Sequence, residues 1–525
     1  MSIPKVIGVE QEYALQLKGD PDISVFEASC MLVNLYAGSV GLREPGMRIL
    51  WDYAHETPFE DIRGRLFRKS VVQQVVSDED NLRINAGLPN GARFYTDHAH
   101  PEYSTAECRS ARQALACDKA GEIVLRSAIS EFNKFYPGVS VTLYKNNSDR
   151  KGHSYGCHEN YLMDAAAHEA SVAHDSRAAV HVLVPFLVTR QVFAGAGKVG
   201  GEAPHSRHIR YQLSQRADFI EKTFGLETMY ARPVINTRAE HHSDPGRFRR
   251  LHVIIGDANM CETAGFLKLG ATQIVLQMLE DGFIAEDWAL KAPIDALRRI
   301  AADAHASVEM ADGRRRTALQ IQRLFYEKAA MFKGAAGAAA IPHYEEILSC
   351  WEDVLNGLEQ LKLSPGLDIE DDPGGLIHKL DWVLKLWLIN RYRHGHECRW
   401  DHPLLTVLDL QYHRADNPDG VFYKLQRDGM ANRLCDDAEI RHFVDHAPDD
   451  TRAYFRSRCL QKYAKEMFLL NWEVVGFDHG DVHRMVPLLN PLKGTREQFE
   501  DVFLGAEDSR TLISRLEGMS SKLKI

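Results

Sequence analysis

Arg93-Phe94-Tyr95-Thr96-Asp97-His98-Ala99-His100-Pro101-Glu102-Tyr103 packs titratable side chains between aromatic ones, and Thr105 and Glu107 extend the cluster. Residues 91 to 97 read as a strand that runs into a turn. Phe94, Tyr95, Pro101 and Tyr103 imply partial burial. Burying so many titratable groups is costly unless they pair with each other or hold a metal. This stretch therefore reads as a candidate functional cluster on one strand and its following turn.

Working outward, residues 4 to 16 read as a first strand. Period-two alternation puts Glu10 and Glu12 on one face of it. Two carboxylates side by side repel unless a cation joins them. Magnesium suits such hard oxygen ligands, with nucleotide phosphates completing its shell. An exposed Glu-x-Glu pair is usually just solvated, so by itself it decides nothing. Apolar spacing through Ala116, Ile123, Val124, Ala128 and Ile129 predicts a helix over 109 to 135. Val139 to Lys145 reads as a strand entering the turn Asn146-Asn147-Ser148-Asp149. In Gly156-Cys157-His158-Glu159-Asn160, His158 and Glu159 exceed what turn chemistry needs. A helix is expected over 179 to 193, a strand over 251 to 255, and mostly helix over 262 to 400. Residues 44 to 80, with Pro45, Gly46, Pro58 and Gly64 among many charges, read as a long loop able to act as a flap. The spaced arginines Arg232, Arg238, Arg249 and Arg250 suit phosphate or carboxylate recognition.

Two motifs lead nowhere. Gly195-Ala196-Gly197-Lys198-Val199-Gly200 lacks the strand-turn-helix setting of a dinucleotide site. His394-Gly395-His396-Glu397-Cys398 lacks a second ligand pair. Elements alternate without βαβ regularity, which predicts an α+β fold with a largely antiparallel sheet. Turn and charge density rise after residue 425, so a catalytic domain over 1–425 and a small domain over 426–525 are expected.

The 525 residues are 45% hydrophobic and 26% charged, as in a soluble globular protein. A net charge of -10 argues against nucleic acid as the main partner. No apolar run is long enough for a membrane span, and the start lacks a signal peptide's pattern, so a cytoplasmic location is expected. Nine cysteines without Cys-x-x-Cys fit reduced structural thiols.

Several segments in one consistent order resemble the Pup ligase and depupylase family. They are Gly8-Val9-Glu10-Gln11-Glu12-Tyr13, Arg93 to Cys108, Tyr144 to Asn147, Tyr155 to Leu162, Ser214 to Phe219, Arg232 to Arg238, Leu251 to Asn259, Leu408 to His413 and Asn471-Trp472. The resemblance implies a glutamine synthetase-like curved antiparallel sheet, with helices packed outside and ATP and Mg2+ in its cradle. It implies Glu10, Tyr95 and Glu102 as magnesium ligands. Arg93, Thr105 and Trp472 become nucleotide contacts, His252 a further metal or nucleotide contact, and Asp97 the catalytic carboxylate. The inserted loop at 44 to 80 and the spelling Asp97-His98-Ala99-His100-Pro101-Glu102-Tyr103 look like the depupylase branch. That branch cuts the isopeptide bond between the small protein Pup and a lysine, and deamidates a C-terminal glutamine on Pup. Ala14 and Cys157 depart from its usual pattern. Pup-like modifiers are acidic, so a basic strip is needed. Arg207, Arg210 and Arg216 are spaced for one helix face and are expected to supply it. The alternatives are a Pup-protein ligase, a small-molecule γ-glutamyl ligase and a catalytically silent Pup-binding protein.

Overall fold

The computed structural model describes residues 2–19, 22–54, 56, 60–62, 76–172 and 176–519. Its centre is an eight-stranded sheet. The strands are β1 (Ile7–Glu12), β2 (Asn85–Gly87), β3 (Arg93–Asp97), β4 (His100–Ser104), β5 (Cys157–Asp164), β6 (Ile220–Gly225), β7 (Arg232–Asn236) and β8 (Phe248–Val253). Across the sheet they run β6-β7-β8-β5-β1-β4-β3-β2, and every junction is antiparallel except β6 with β7.

Period-two alternation gives this sheet two unlike faces. Ile7 and Val9 of β1, Tyr161 and Met163 of β5, and Leu251 and Val253 of β8 share one apolar core with Ala114 and Cys117 of helix α1 (Ala111–Phe135) and Phe266 and Leu269 of helix α2 (Glu262–Glu280). Helices thus cover one face. The other carries Gly8, Glu10, Glu12, Glu102, His158, Asn160 and His252. Ser110 caps α1 by accepting from the Gln113 amide at 3.0 Å, which contributes about 1 kcal/mol. Gly121 lets α1 lie against the sheet, since a Cβ there would stand 2.5 Å from the Tyr103 ring.

Residues after 425 pack in two directions. Ile440 and Phe443 join the core behind the sheet. Phe455, Phe499, Phe503 and Leu512 form a second cluster with Phe94, Tyr103 and Leu125. A four-stranded sheet of Met467–Leu470, Val474–Asp478, His483–Pro487 and Leu50–Trp51 stands beside β2.

Some sequence expectations change. The stretch from 4 to 16 is not one strand. Tyr13 is fully buried and its amide donates to Pro101 O at 3.0 Å, after which Ala14–Lys18 leaves to pair with Ser140–Tyr144. The 44 to 80 segment is not loop throughout. Leu50–Trp51 pairs in parallel with Leu469–Leu470, and Asp78–Ile84 is a helix capped by Ser77. Residues 55, 57–59 and 63–75 of that segment lie outside the described residues. The 179 to 193 helix opens on a wide turn, Ala179–Leu183, before Pro185, which has no amide to donate. Among the described residues no helix is long and apolar enough to cross a membrane.

Candidate functional site

Strand register builds the site. Glu12 of β1 lies opposite Glu102 of β4, and Glu102 lies opposite Tyr95 of β3. One step along, Glu10 lies opposite His158 of β5, and Asn160 opposite His252 of β8. Two groups of possible metal donors result: Glu12, Asp97 and Glu102, and Glu10, His158 and His252. Within each, one donor atom per residue lies within 4.8 Å of the others. Of the ligand set implied by the resemblance, Glu10 falls in one group and Glu102 in the other, while Tyr95 belongs to neither and lies opposite Glu102 in register; the groups add Glu12 and His158.

The two groups differ in charge balance. In the second, Glu10 Oε1 accepts from Asn160 Nδ2 at 2.9 Å and faces Arg250 Nη1 at 3.4 Å. Its Oε2 lies 3.3 Å from His158 Nδ1 and 3.6 Å from His252 Nε2. Burial opposes ionisation of Glu10, but the His158 hydrogen bond and the positive charge of Arg250 outweigh it and hold the carboxyl well below its usual range. Burial, helped by Arg250, pushes His252 well below the usual imidazole range. Its ring is neutral, and neither buried nitrogen has a hydrogen-bond partner among the described residues. Such an orphaned imidazole fits a metal or a ligand donor.

The first group has too few cations of its own. Glu12 is held at about 2: burial works against its charge, but His100 at 3.1 Å, the more distant His158 and the Gly156 amide at 2.7 Å prevail. Glu102 is held well above the carboxylate range by burial and by the charges of Asp97, Glu12 and Glu10. Adjacent carboxylates that cannot all ionise are what a bound divalent cation relieves. The residues present thus fit Mg2+.

Asp97 ends β3 at the rim of the cleft, with 42% of its side chain exposed. His98 follows in the left-handed region at φ 54, and its Nδ1 lies 3.0 Å from Asp97 Oδ1. The tight return to His100 puts Asp97 beside Glu102 and Glu12.

Beside the carboxylates opens a cleft. Gly8, Thr105, Arg250 and Trp472 line it. A Cβ on Gly8 would meet nothing closer than Asn160 Cβ at 3.7 Å, so the missing side chain is cleft space. Thr105 Oγ1 accepts from the Val9 amide at 3.0 Å. Arg93 lies flat between the rings of Trp51 at 4.1 Å and Tyr95 at 3.9 Å. Trp472 meets Trp51 edge-on at 5.2 Å, and its carbonyl accepts from Arg456 at 3.1 Å. Arg456 and Arg452 both clasp Glu107, at 2.5 and 2.7 Å, and this salt bridge ties the C-terminal helix Arg452–Tyr463 to the segment after β4.

The basic strip is corrected. Residues 207 to 210 are turns, so Arg207, Arg210 and Arg216 share no helix face. Arg207 and Arg210 are exposed, whereas Arg216 is buried and donates to Ser154 Oγ, Tyr155 O and Ile254 O. Glu159 points into the core and pairs with Arg190 at 2.5 Å, leaving the cleft to its neighbour His158. Period-two alternation along β5 could have separated the two. Asn160, Arg250 and Glu107 stood in stretches the sequence singled out, without roles of their own, and Arg452 had no motif to single it out.

The family model described as Pup-ligase protein matches residues 5–476. The depupylase of Acidothermus cellulolyticus is 41% identical over 521 residues, covering 98% of this chain and 99% of that protein. The Pup deamidase/depupylase of Mycolicibacterium smegmatis is 37% identical, with 98% and 99% covered. The Pup–protein ligase of Acidimicrobium ferrooxidans is 39% identical, with 79% of this chain and 88% of that protein covered. The solved complex of Pup with its ligase PafA aligns at TM-score 0.73 and 29% identity, covering 98% of this chain and 94% of that one. PafA in complex with ADP aligns at 0.70 and 29% identity, with 88% and 100% covered. With its matched sequence and its one-sided antiparallel sheet, this chain belongs to the Pup-ligase protein family.

Proposed function

We propose that this protein is an ATP- and magnesium-dependent depupylase, which hydrolyses the isopeptide bond between Pup and a substrate lysine and deamidates a C-terminal glutamine on Pup. The observation that carries this reading is the near end-to-end match to proteins named depupylase, against 79% of the chain for a relative named as a ligase. The carboxylate-lined cleft supports it. Glu10, Glu12 and Glu102, with the Tyr95 hydroxyl beside them, would hold the metal, and Arg93, Thr105, Arg250 and Trp472 the nucleotide. Bound there with the nucleotide, the metal would supply positive charge for the carboxylates and stabilise negative charge developing on the amide oxygen.

The chain's own part falls to Asp97, the reacting carboxylate at the exposed rim. It either attacks the γ-carbonyl and displaces the amine, which leaves protonated from solvent, giving a mixed anhydride that water then hydrolyses to restore Asp97, or takes a proton from the attacking water and returns it to the departing amine. His98 restrains its rotamer. Arg207 and Arg210 are offered as contacts to the acidic modifier. The test is a gel assay of a purified Pup conjugate with and without ATP and magnesium. Free target protein should appear only with both, and Asp97→Asn should release none while still binding nucleotide. Joining of Pup ending in glutamate to a lysine protein, with no cleavage, would establish the ligase reading instead.

A further inference from the structure

Arg93 shows an unusual division of partners. Its two faces are occupied by Trp51 and Tyr95. Nε and Nη2 both donate to Asn85 Oδ1, at 3.1 and 2.6 Å, and Nη2 also reaches the Tyr53 hydroxyl at 3.3 Å. Nη1 alone faces a carboxylate, Glu56 Oε1, at 3.6 Å. That distance is too long for a hydrogen bond, so charge rather than direction holds the pair. Glu56 is itself placed by the indole Nε1–H of Trp51, which donates to Oε1 at 3.1 Å. The Arg93 side chain is 8% exposed and that of Glu56 27%. Glu56 borders a narrow recess with His242 and Trp472, and both of those residues also line the cleft beside the carboxylates.

From this arrangement we propose that Glu56 is a built-in competitor for the nucleotide phosphates, which must take the Arg93 guanidinium from it. The inference rests on the reading that the cleft holds ATP. A guanidinium prefers short, paired contacts to phosphate oxygens over a single long contact to a carboxylate. The rings and Asn85 keep Arg93 in place while its Nη1 edge changes partner. Glu56 thereby sets nucleotide affinity below what the cleft could reach, and release after turnover is eased by a carboxylate already at hand. The rival role, in which Glu56 supports Arg93 for nucleotide binding, predicts the opposite sign.

The test is titration of ADP and ATP, with magnesium, into the full chain and into Glu56→Gln and Glu56→Ala, followed by tryptophan fluorescence from Trp51 and Trp472. Glu56→Gln keeps an oxygen for the Trp51 bond and loses only charge; Glu56→Ala loses both. Both variants should bind roughly two- to fivefold more tightly, the range of a part-exposed ion pair, and the gain should shrink as ionic strength rises. Binding by the wild type with unimproved or weaker binding by Glu56→Gln would overturn this inference alone. Improvement in Glu56→Ala only would also overturn it, by assigning the effect to the Trp51 bond. No saturable binding by the wild type would overturn both this inference and the ATP reading.

Discussion

Glu107→Gln removes one charge from a buried three-residue clasp and should be costly. Burial opposes the Glu107 carboxylate, yet Arg456 and Arg452 bring its pKa from 4.5 down to about 2. At about 1.4 kcal/mol per tenfold change in proton affinity, that drop corresponds to roughly 3 kcal/mol. Breaking a buried pair by removing one partner typically costs about 3–5 kcal/mol, so the two routes agree. The side chain is 12% exposed, so solvent screening takes little of this away. The sign follows from the lowered pKa: the contribution is complete above the unfolded-state value near 4.5 and fades as pH falls towards 2. Urea unfolding followed by tryptophan fluorescence should show Glu107→Gln less stable by about 3 kcal/mol at neutral pH. Its stability should also fall less steeply than wild type between pH 4.5 and 2. Because Arg456 also holds the Trp472 carbonyl, nucleotide affinity should drop with it. An unchanged urea midpoint, or identical acid limbs in the two proteins, would refute the reasoning.

Other outcomes can be checked alongside. Gly8→Leu fills cleft space without a backbone clash, so the circular-dichroism melt should hold while the Kd for ATP rises by at least about tenfold, as for loss of a well-buried ligand contact. Glu102→Gln removes a metal donor whose carboxyl is already held neutral by burial and its acidic neighbours when no metal is bound. Without magnesium its Tm should stay within about 1 °C of wild type, and the Tm gain on adding magnesium should vanish. Reversing Arg207 and Arg210 to Glu should raise the apparent Kd for Pup, measured by fluorescence anisotropy, with the melt unchanged. Arg216→Ala should instead destabilise the fold by about 2–4 kcal/mol in urea, since three buried acceptors lose their donor.

Much of the fold was legible because alternation is a strong signal on a half-buried strand. Glu10 and Glu12 do share a face, and the cluster from Arg93 to Tyr103 is a hairpin rim. Residues whose role comes from long-range pairing were harder to find. Glu107 is one carboxylate among many until Arg452 and Arg456 arrive from the far end of the chain. The basic strip failed for a local reason: helical spacing was read into residues 207 to 216, which are turns followed by a two-residue strand, and burial claims Arg216. The single strand read over 4 to 16 failed because alternation continues on both sides of Tyr13 while the pairing partner changes. Leu50–Trp51 was hidden for the same reason, since a two-residue strand has no period of its own.

The order of synthesis has a bearing on when the protein becomes competent. Asn471 donates to the Asp52 carbonyl 419 positions behind it, and Leu50–Trp51 finds its strand partner only at Leu469–Leu470. A ribosome-bound chain that has released the large sheet but not residue 452 leaves Glu107 without either guanidinium and Trp51 without its neighbour Trp472. Carboxylates from the first hundred residues are thus in place early, while the wall that would retain a nucleotide forms last. Premature termination in the final segment should yield a protein with an ordered sheet that lacks the Trp51–Trp472 wall beside the cleft.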